Sequence, residues 1–324
     1  MSSRPRVILT RRLPQPVEAA ARDRFDAVCS TNDRPFSPAD LQRALGEADG
    51  ILATVTDRFT AEVLAAYPLR TRIIANFGVG YDNIDIAAAR AHEIAVSNTP
   101  DVLTDCTADL TMALILMTMR RAGEGERDVR GGRWRGWAPT QLMGRRVTGR
   151  TLGLVGFGRI GRAVARRAHQ GFGMRVLCYT PHPPAVAELA AMGVEARPTL
   201  EALLADANVV SLHCRSTPET RGMINALTLA QMQPGSWLIN TARGDIVDDD
   251  ALITALMSGH LAGAGLDVFR NEPHLDRRYL GMENVVLLPH LGSATHETRE
   301  AMGFRAIANL TACFEGKPIP DRVG

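Results

Sequence analysis

The 324-residue sequence predicts an α/β protein with two mostly parallel sheets, each covered by helices on both faces. Three observations predict it. Short apolar runs alternate with helix-like segments over roughly the first hundred residues. Pro100 and a long apolar segment then interrupt the series. A second alternating series begins at residue 151. The length suits two domains better than one. A content of 45% hydrophobic and 22% charged residues is enough to fill two ordinary globular cores.

In the first series, strands read at RVILT (6–10), DAVCS (26–30), GILAT (50–54), RIIANF (72–77) and EIAVSN (93–98). Helices read from Pro14 to Arg24 and near 38–45, 60–67 and 84–92, with Ser37-Pro38 and Thr60 suited to helix starts. Segment 102–121, VLTDCTADLTMALILMTMRR, reads as a long apolar helix. Residues 123–150 lack periodicity and are rich in Gly and Arg, so they are expected to form a functional loop or a projecting arm. In the second series, strands read at TLGLVG (151–156), RVLCYT (175–180), NVVSLHC (208–214), SWLIN (236–240), LAGAGLDVF (261–269) and VVLLP (285–289). A closing helix is expected over 294–314, and the sequence holds neither a low-complexity tract nor a repeat.

Composition narrows the function. A net charge of +2 gives no bulk attraction to nucleic acid. No apolar run reaches the about 18 residues of a membrane helix. Arg11 and Arg12 cut the opening apolar stretch too short for a leader core, so a cytoplasmic protein is expected. Cys29, Cys106, Cys178, Cys214 and Cys313 are scattered, which predicts neither a disulfide framework nor a metal site. All 37 basic residues except Lys317 are arginine. That removes pyridoxal-type and P-loop chemistry, both of which need a lysine in the site. An anion clamp must then use arginine or backbone amides.

The sharpest local signal is Gly156-Phe157-Gly158-Arg159-Ile160-Gly161, placed between a predicted strand and a predicted helix. In that setting Gly156 permits the tight turn, Gly158 lets backbone approach a pyrophosphate, and Gly161 lets the helix pack on the strand. The motif's usual partner is an acid about 20 residues on, which holds the ribose hydroxyls. Here the second strand ends Cys178-Tyr179-Thr180-Pro181-His182, and the next carboxylate is Glu188. Without an acid a 2′-phosphate is not repelled, and Thr180 or a protonated His182 can meet it. NADP(H) is therefore favoured, with use of NAD(H) retained.

Three polar groups follow apolar strands, where an open α/β sheet places its ligands. Arg243 follows SWLIN, His290 follows VVLLP, and Glu272 lies just past Asp267-Val268-Phe269. Reducing a ketone needs a proton donor near neutral pH, which suits histidine. A carboxylate beside it stabilises the imidazolium, and arginine binds a keto acid's carboxylate bidentately. Singly, each of the three reads better as a structural or surface group. Together with the nucleotide motif they read as an active site. Gly78-Val79-Gly80 reads either as backbone amides aimed at an anion or as a simple turn into the helix at 84–92.

The stretches NFGVGYDNID (76–85), GFGRIG (156–161), NTARGDIVDDDAL (240–252), GAGLDVFRNEP (263–273) and PHLGSAT (289–295) occur in this order. Over nearly the whole chain they resemble the D-isomer-specific 2-hydroxyacid dehydrogenase family, in particular its glyoxylate/hydroxypyruvate reductases. The resemblance implies a Rossmann cofactor domain, 100–290, inserted into a flavodoxin-like substrate domain, 1–99 plus 291–324. It implies His290 as general acid/base with Glu272 as its partner. Arg243 would hold the substrate carboxylate and carbonyl, and the Val79 and Gly80 N–H groups the carboxylate's other side. Asp267 would lie near the nicotinamide amide, Arg159 and Ile160 at the pyrophosphate, and Thr107 near a cofactor phosphate. Thr180, His213 and Thr241 complete the assigned cofactor contacts.

The resemblance also implies a homodimer formed through the cofactor domains, with 123–150 as the arm. Either Trp134 or Trp137 would border the partner's pocket or pack only in the interface. Arg215 stands where many relatives carry Pro, which alters the loop over the adenosine or brings a guanidinium to a 2′-phosphate. The expected reaction reduces a small 2-keto acid, glyoxylate or hydroxypyruvate, to the 2-hydroxy acid. The alternatives are a non-enzymatic NAD(H) sensor of corepressor type, or a phosphoglycerate, formate or phosphite dehydrogenase. The short C-terminus weighs against the longer phosphoglycerate type.

Overall fold

The protein is described by a computed structural model covering residues 4–65 and 68–324. The chain divides into two compact units, Met1–Leu103 with Ser293–Gly324, and Thr104–Gly292.

The first unit runs β1 (Arg6–Leu9), α1 (Gln15–Arg24), β2 (Asp26–Cys29), α2 (Pro38–Glu47), β3 (Gly50–Thr54), α3 (Ala61–Leu64), β4 (Ile73–Phe77), α4 (Ile86–Ala91) and β5 (Ala95–Ser97). The helix starts are made by side chains: Ser37 Oγ accepts the Asp40 N–H at 3.2 Å, and Thr60 Oγ1 accepts the Val63 N–H at 3.3 Å. Residues 66 and 67 of the helix expected over 60–67 lie outside the described residues.

The second unit runs α5 (Thr104–Met119), α6 (Ala122–Arg130), β6 (Thr151–Val155), α7 (Arg159–Arg166), β7 (Arg175–Tyr179), α8 (Val186–Ala191), β8 (Val194–Ala196), α9 (Leu200–Asp206), β9 (Val209–Leu212), α10 (Ala226–Ala230), β10 (Ser236–Asn240), α11 (Asp249–Met257), β11 (Leu261–Leu266) and β12 (Val285–Leu287). The chain then returns to the first unit with α12 (His296–Phe314) and β13 (Arg322–Val323).

The first sheet has the order β13-β5-β4-β3-β1-β2, parallel except for β13. Without β13 this is the flavodoxin-like order 2-1-3-4-5. The second sheet is fully parallel, in the order β12-β11-β10-β9-β6-β7-β8. It reverses between β6 and β9, and ligands of doubly wound sheets bind at such a reversal. Successive strand residues face opposite layers: Val176 and Cys178 of β7 enter the core with α5 and α7, and Leu177 enters the core with α9 and α11. Both faces are therefore covered, which is why these strands read as continuous apolar runs.

The structure differs from the sequence expectation at several elements. The arm read as aperiodic contains α6 over Ala122–Arg130, and no residue of that helix is buried. Helix α5 stops at Met119 because Arg121 takes the left-handed φ of 53° and turns the chain into α6. The run 261–269 is strand only to Leu266, since Asp267 already serves the next loop. The three-residue β8 and the two-residue antiparallel β13 were not expected.

Candidate active site

The glycine turn sits at the sheet reversal. Val155 pairs with Leu212, and the His213 N–H donates to Val155 O at 2.7 Å, so the ends of β6 and β9 leave the sheet side by side. Gly156 has φ 94°, and a Cβ there would lie 2.7 Å from the His213–Cys214 backbone. A Cβ on Gly161 would lie 2.6 Å from Gly156 O, whereas one on Gly158 would meet nothing within 4 Å. The outer two glycines are thus required by the fold, and the middle one leaves an open cradle at the N-terminus of α7. That cradle fits a dinucleotide pyrophosphate. Arg159 is exposed and Ile160 half-buried at its edge.

Beyond β7, Thr180 is half-buried and His182 exposed. Glu188 lies on α8 and pairs with Arg162 of α7, whose guanidinium also stacks on Phe157 at 5.2 Å. On β9, Ser211 Oγ lies 2.9 Å from His213 Nε2, and desolvation pushes the His213 ring down to about 4. His213 is therefore neutral at pH 7.

Asp267 organises the loop that carries His290. Its Oδ1 accepts the Leu291 N–H at 2.7 Å and its Oδ2 the Gly292 N–H at 2.8 Å. Its carbonyl accepts the His290 N–H at 2.9 Å. This grip holds His290 at the left-handed φ of 57°, a conformation that needs support in a non-glycine residue. Burial pushes the Asp267 carboxyl above its ordinary value, against the two N–H bonds and the His290 charge.

His290 Nδ1 lies 2.8 Å from Glu272 Oε2, and Glu272 Oε1 accepts the Phe269 N–H at 2.9 Å. Burial raises the Glu272 carboxyl. The His290 hydrogen bond and charge, the Phe269 N–H and the Arg243 charge outweigh it and hold the group below its ordinary value. Glu272 is then ionised at neutral pH and can only accept. His290 Nδ1 must carry the hydrogen, and Nε2 is left to exchange a proton.

Arg243 sits on a turn wrapped by Asn240. Asn240 Nδ2 donates to Arg243 O at 2.8 Å, and its Oδ1 accepts the Ala242 N–H at 3.0 Å. Next to it, a Cβ on Gly244 would lie 2.0 Å from Phe269 C, so the Arg243 turn packs directly on the backbone that leads to Glu272. Buried hydroxyls continue the linkage. Thr241 Oγ1 and Thr111 Oγ1 are 2.9 Å apart, Thr111 donates to Thr107 O at 2.8 Å, and Thr107 Oγ1 donates to Gly292 O at 2.9 Å.

The second unit thus brings together Arg243, Asp267, Glu272 and His290. Thr107 and Thr241 lie in the hydroxyl chain behind them, with the Thr107 proton committed to Gly292. Sequence reasoning missed Asn240, Gly244 and Thr111. Asn240 and Gly244 flank Arg243 in the motif NTARG, and that local pattern was the available signal.

Val79 and Gly80 belong to the first unit, on the turn after β4. The Gly78 N–H donates to Asn76 O at 2.9 Å, and a Cβ on Gly78 would lie 2.9 Å from Val55 Cγ1.

Comparison with known proteins adds the following. The family model for the NAD-binding domain of D-isomer-specific 2-hydroxyacid dehydrogenases matches residues 112–292. A glyoxylate reductase of Thermococcus litoralis is 42% identical over 99% of this chain and 97% of its own. A glycerate dehydrogenase of Hyphomicrobium methylovorum is 36% identical over 97% of each. Among solved structures, an NADPH-dependent glyoxylate/hydroxypyruvate reductase of Sinorhizobium meliloti, in complex with NADP and malonate, superposes with a TM-score of 0.88 at 36% identity. That match covers 99% of this chain and 97% of the other. A D-mandelate dehydrogenase of Rhodotorula graminis gives 0.87 at 28% identity, covering 99% and 98%.

Proposed function

The chain belongs to the D-isomer-specific 2-hydroxyacid dehydrogenase family and is an NAD(P)-dependent dehydrogenase, and on that footing we propose that it reduces glyoxylate and hydroxypyruvate to their 2-hydroxy acids. The observation that carries the chemistry is the His290–Glu272 hydrogen bond on a loop gripped by Asp267. The substrate class rests on the glyoxylate reductases among the relatives.

A nicotinamide dinucleotide, its pyrophosphate held at the turn of Gly156, Gly158 and Gly161, would supply the hydride. His290 Nε2 gives a proton to the carbonyl oxygen as charge develops there. Glu272 keeps the imidazole oriented by accepting from Nδ1. Arg243 neutralises the keto acid's carboxylate and polarises its carbonyl. The Val79 and Gly80 N–H groups are assigned to the carboxylate.

NADPH is the preferred reductant in this reading, because β7 ends at Tyr179 and is followed by Thr180 rather than an acid, and Glu188 is engaged by Arg162. The arm is assigned to a homodimer. Val129, Trp134, Trp137 and Met143 expose 61%, 52%, 83% and 66% of their surface, and a second copy of the chain would cover these apolar side chains. A double Trp134→Ser/Trp137→Ser variant should sediment as a monomer. The chain is assigned to the cytoplasm, where its five unpaired thiols stay reduced, and cell fractionation checks that.

The decisive assay follows reduced nicotinamide absorbance with glyoxylate, hydroxypyruvate and larger keto acids, each with NADPH and NADH. Turnover of the two small acids, faster with NADPH, is expected. Tight cofactor binding without turnover of any keto acid would reject the reading in favour of a sensor.

A further inference from the structure

The Gly78–Gly80 turn is held from beneath, and the way it is held singles out one side chain. Gly78 O accepts the Thr99 N–H at 3.0 Å. Val79 O accepts from Asn98 Nδ2 at 2.8 Å, and Gly80 O accepts from Asn76 Nδ2 at 2.8 Å. Three successive carbonyls are thus tied into the fold. A trans peptide unit is planar, with its C=O and the following N–H pointing opposite ways. Fixing Gly78 O therefore aims the Val79 N–H, and fixing Val79 O aims the Gly80 N–H. Among the described residues no hydrogen-bond acceptor meets either of these two N–H groups.

One dipeptide, Asn98-Thr99, sets both vectors. It is itself immobilised. The Asn98 N–H donates to Asp321 O at 3.2 Å, and Asn98 O accepts from Asn309 Nδ2 at 3.3 Å. Asn309 is fully buried and also bonds Asp321, which Arg305 grips bidentately through Nε and Nη2 at 2.8 Å. A carboxamide buried beneath a turn is costly unless its bonds are made. Here its donor is spent on a single carbonyl oxygen, the one that aims the Gly80 amide.

We propose that Asn98 is a positioning residue for the substrate carboxylate, holding the Gly80 N–H on target through the Val79 carbonyl. The proposal rests on the assignment of the Val79 and Gly80 amides to that carboxylate. Two near-isosteric variants test it. Asn98→Asp keeps the shape and places an acceptor against Val79 O. Asn98→Leu keeps the volume and removes the donor. The readouts are KM and kcat for glyoxylate, the inhibition constant of oxalate, the NADPH dissociation constant and the melting temperature.

Both variants should raise KM and the oxalate constant together by about 10-fold or more, with kcat within about 3-fold of the parent and NADPH affinity unchanged. A KM and oxalate constant within about 2-fold of the parent would overturn the proposal. So would a loss of NADPH binding in both variants, which would place the effect on folding. If the parent reduces glyoxylate but is not inhibited by oxalate, the carboxylate assignment falls and takes this proposal with it. If the parent reduces no keto acid, the failure lies with the proposed function.

Discussion

His290 Nδ1 lies 2.8 Å from Glu272 Oε2, and the second oxygen of Glu272 takes the Phe269 N–H, so both acceptors of one carboxylate are committed to fixed donors. Glutamine cannot satisfy both. In Glu272→Gln one donor faces an NH2 group: either the Phe269 N–H loses its acceptor or the imidazole turns over to its other tautomer. Turnover should fall about 100-fold, the scale of a displaced acid/base group, while NADPH affinity stays within about 2-fold. Single-turnover kinetics and cofactor titration separate the two. A variant with parental turnover would remove Glu272 from the mechanism.

The same pair sets a pH dependence of stability. Glu272 titrates below its ordinary value in the folded protein, and an unfolded glutamate titrates near about 4.3. A depressed folded pKa contributes stability that is complete above the unfolded value and is lost as pH falls through the folded one. The gap in melting temperature between the parent and Glu272→Gln should therefore narrow as pH falls below about 4. A gap that widened over that acid range would reverse the sign and contradict the depressed carboxyl.

The glycine turn makes two opposite forecasts. A methyl on Gly161 would meet Gly156 O at 2.6 Å, so Gly161→Ala must move α7 away from β6 and should lower stability by about 1–3 kcal/mol. A methyl on Gly158 meets nothing within 4 Å, so Gly158→Ala should melt within a degree or two of the parent. Its cost should appear only when a pyrophosphate approaches, as a loss of about 10-fold or more in NADPH affinity. Thermal melts paired with fluorescence titration distinguish them. A Gly158→Ala protein that binds NADPH like the parent would place the pyrophosphate elsewhere.

Much of this was legible in the sequence because the relevant signals are local. IIANF and SWLIN are buried along their whole length, so they read as unbroken strands, and each leads into a turn assigned to the site, at Gly78 and Arg243. Helix α6 was not legible because it buries nothing. It is held by exposed ion pairs, such as Arg130–Glu126 at 2.6 Å, which leave no apolar period and are interrupted by Gly123 and Gly125. The support behind His290 was hidden for another reason. The Thr107 hydroxyl bonds the Gly292 carbonyl across 185 residues, and a buried threonine on an apolar helix looks like filler until the partner is in place. The Asp267 grip was hidden similarly: the sequence places Asp267 at a strand end but cannot reveal that both oxygens serve the backbone of residues 291 and 292.

In the proposed reading, cofactor choice turns on the residue just past β7, where Thr180 would occupy the place an acid takes in NAD-selective turns. Thr180→Asp puts a carboxylate there. Arg162 is already paired with Glu188. The new charge should repel a 2′-phosphate and accept from a ribose 2′-OH, raising the NADH to NADPH ratio of kcat/KM by about 100-fold. That swing corresponds to about 2.7 kcal/mol at tenfold per 1.36 kcal/mol. Because the change lies in adenosine binding, the KM for glyoxylate at saturating cofactor should stay put, and the swing should appear in cofactor KM. A ratio that does not move would mean that Thr180 does not face the ribose, and the preference for NADPH would then have to be sought at Arg215.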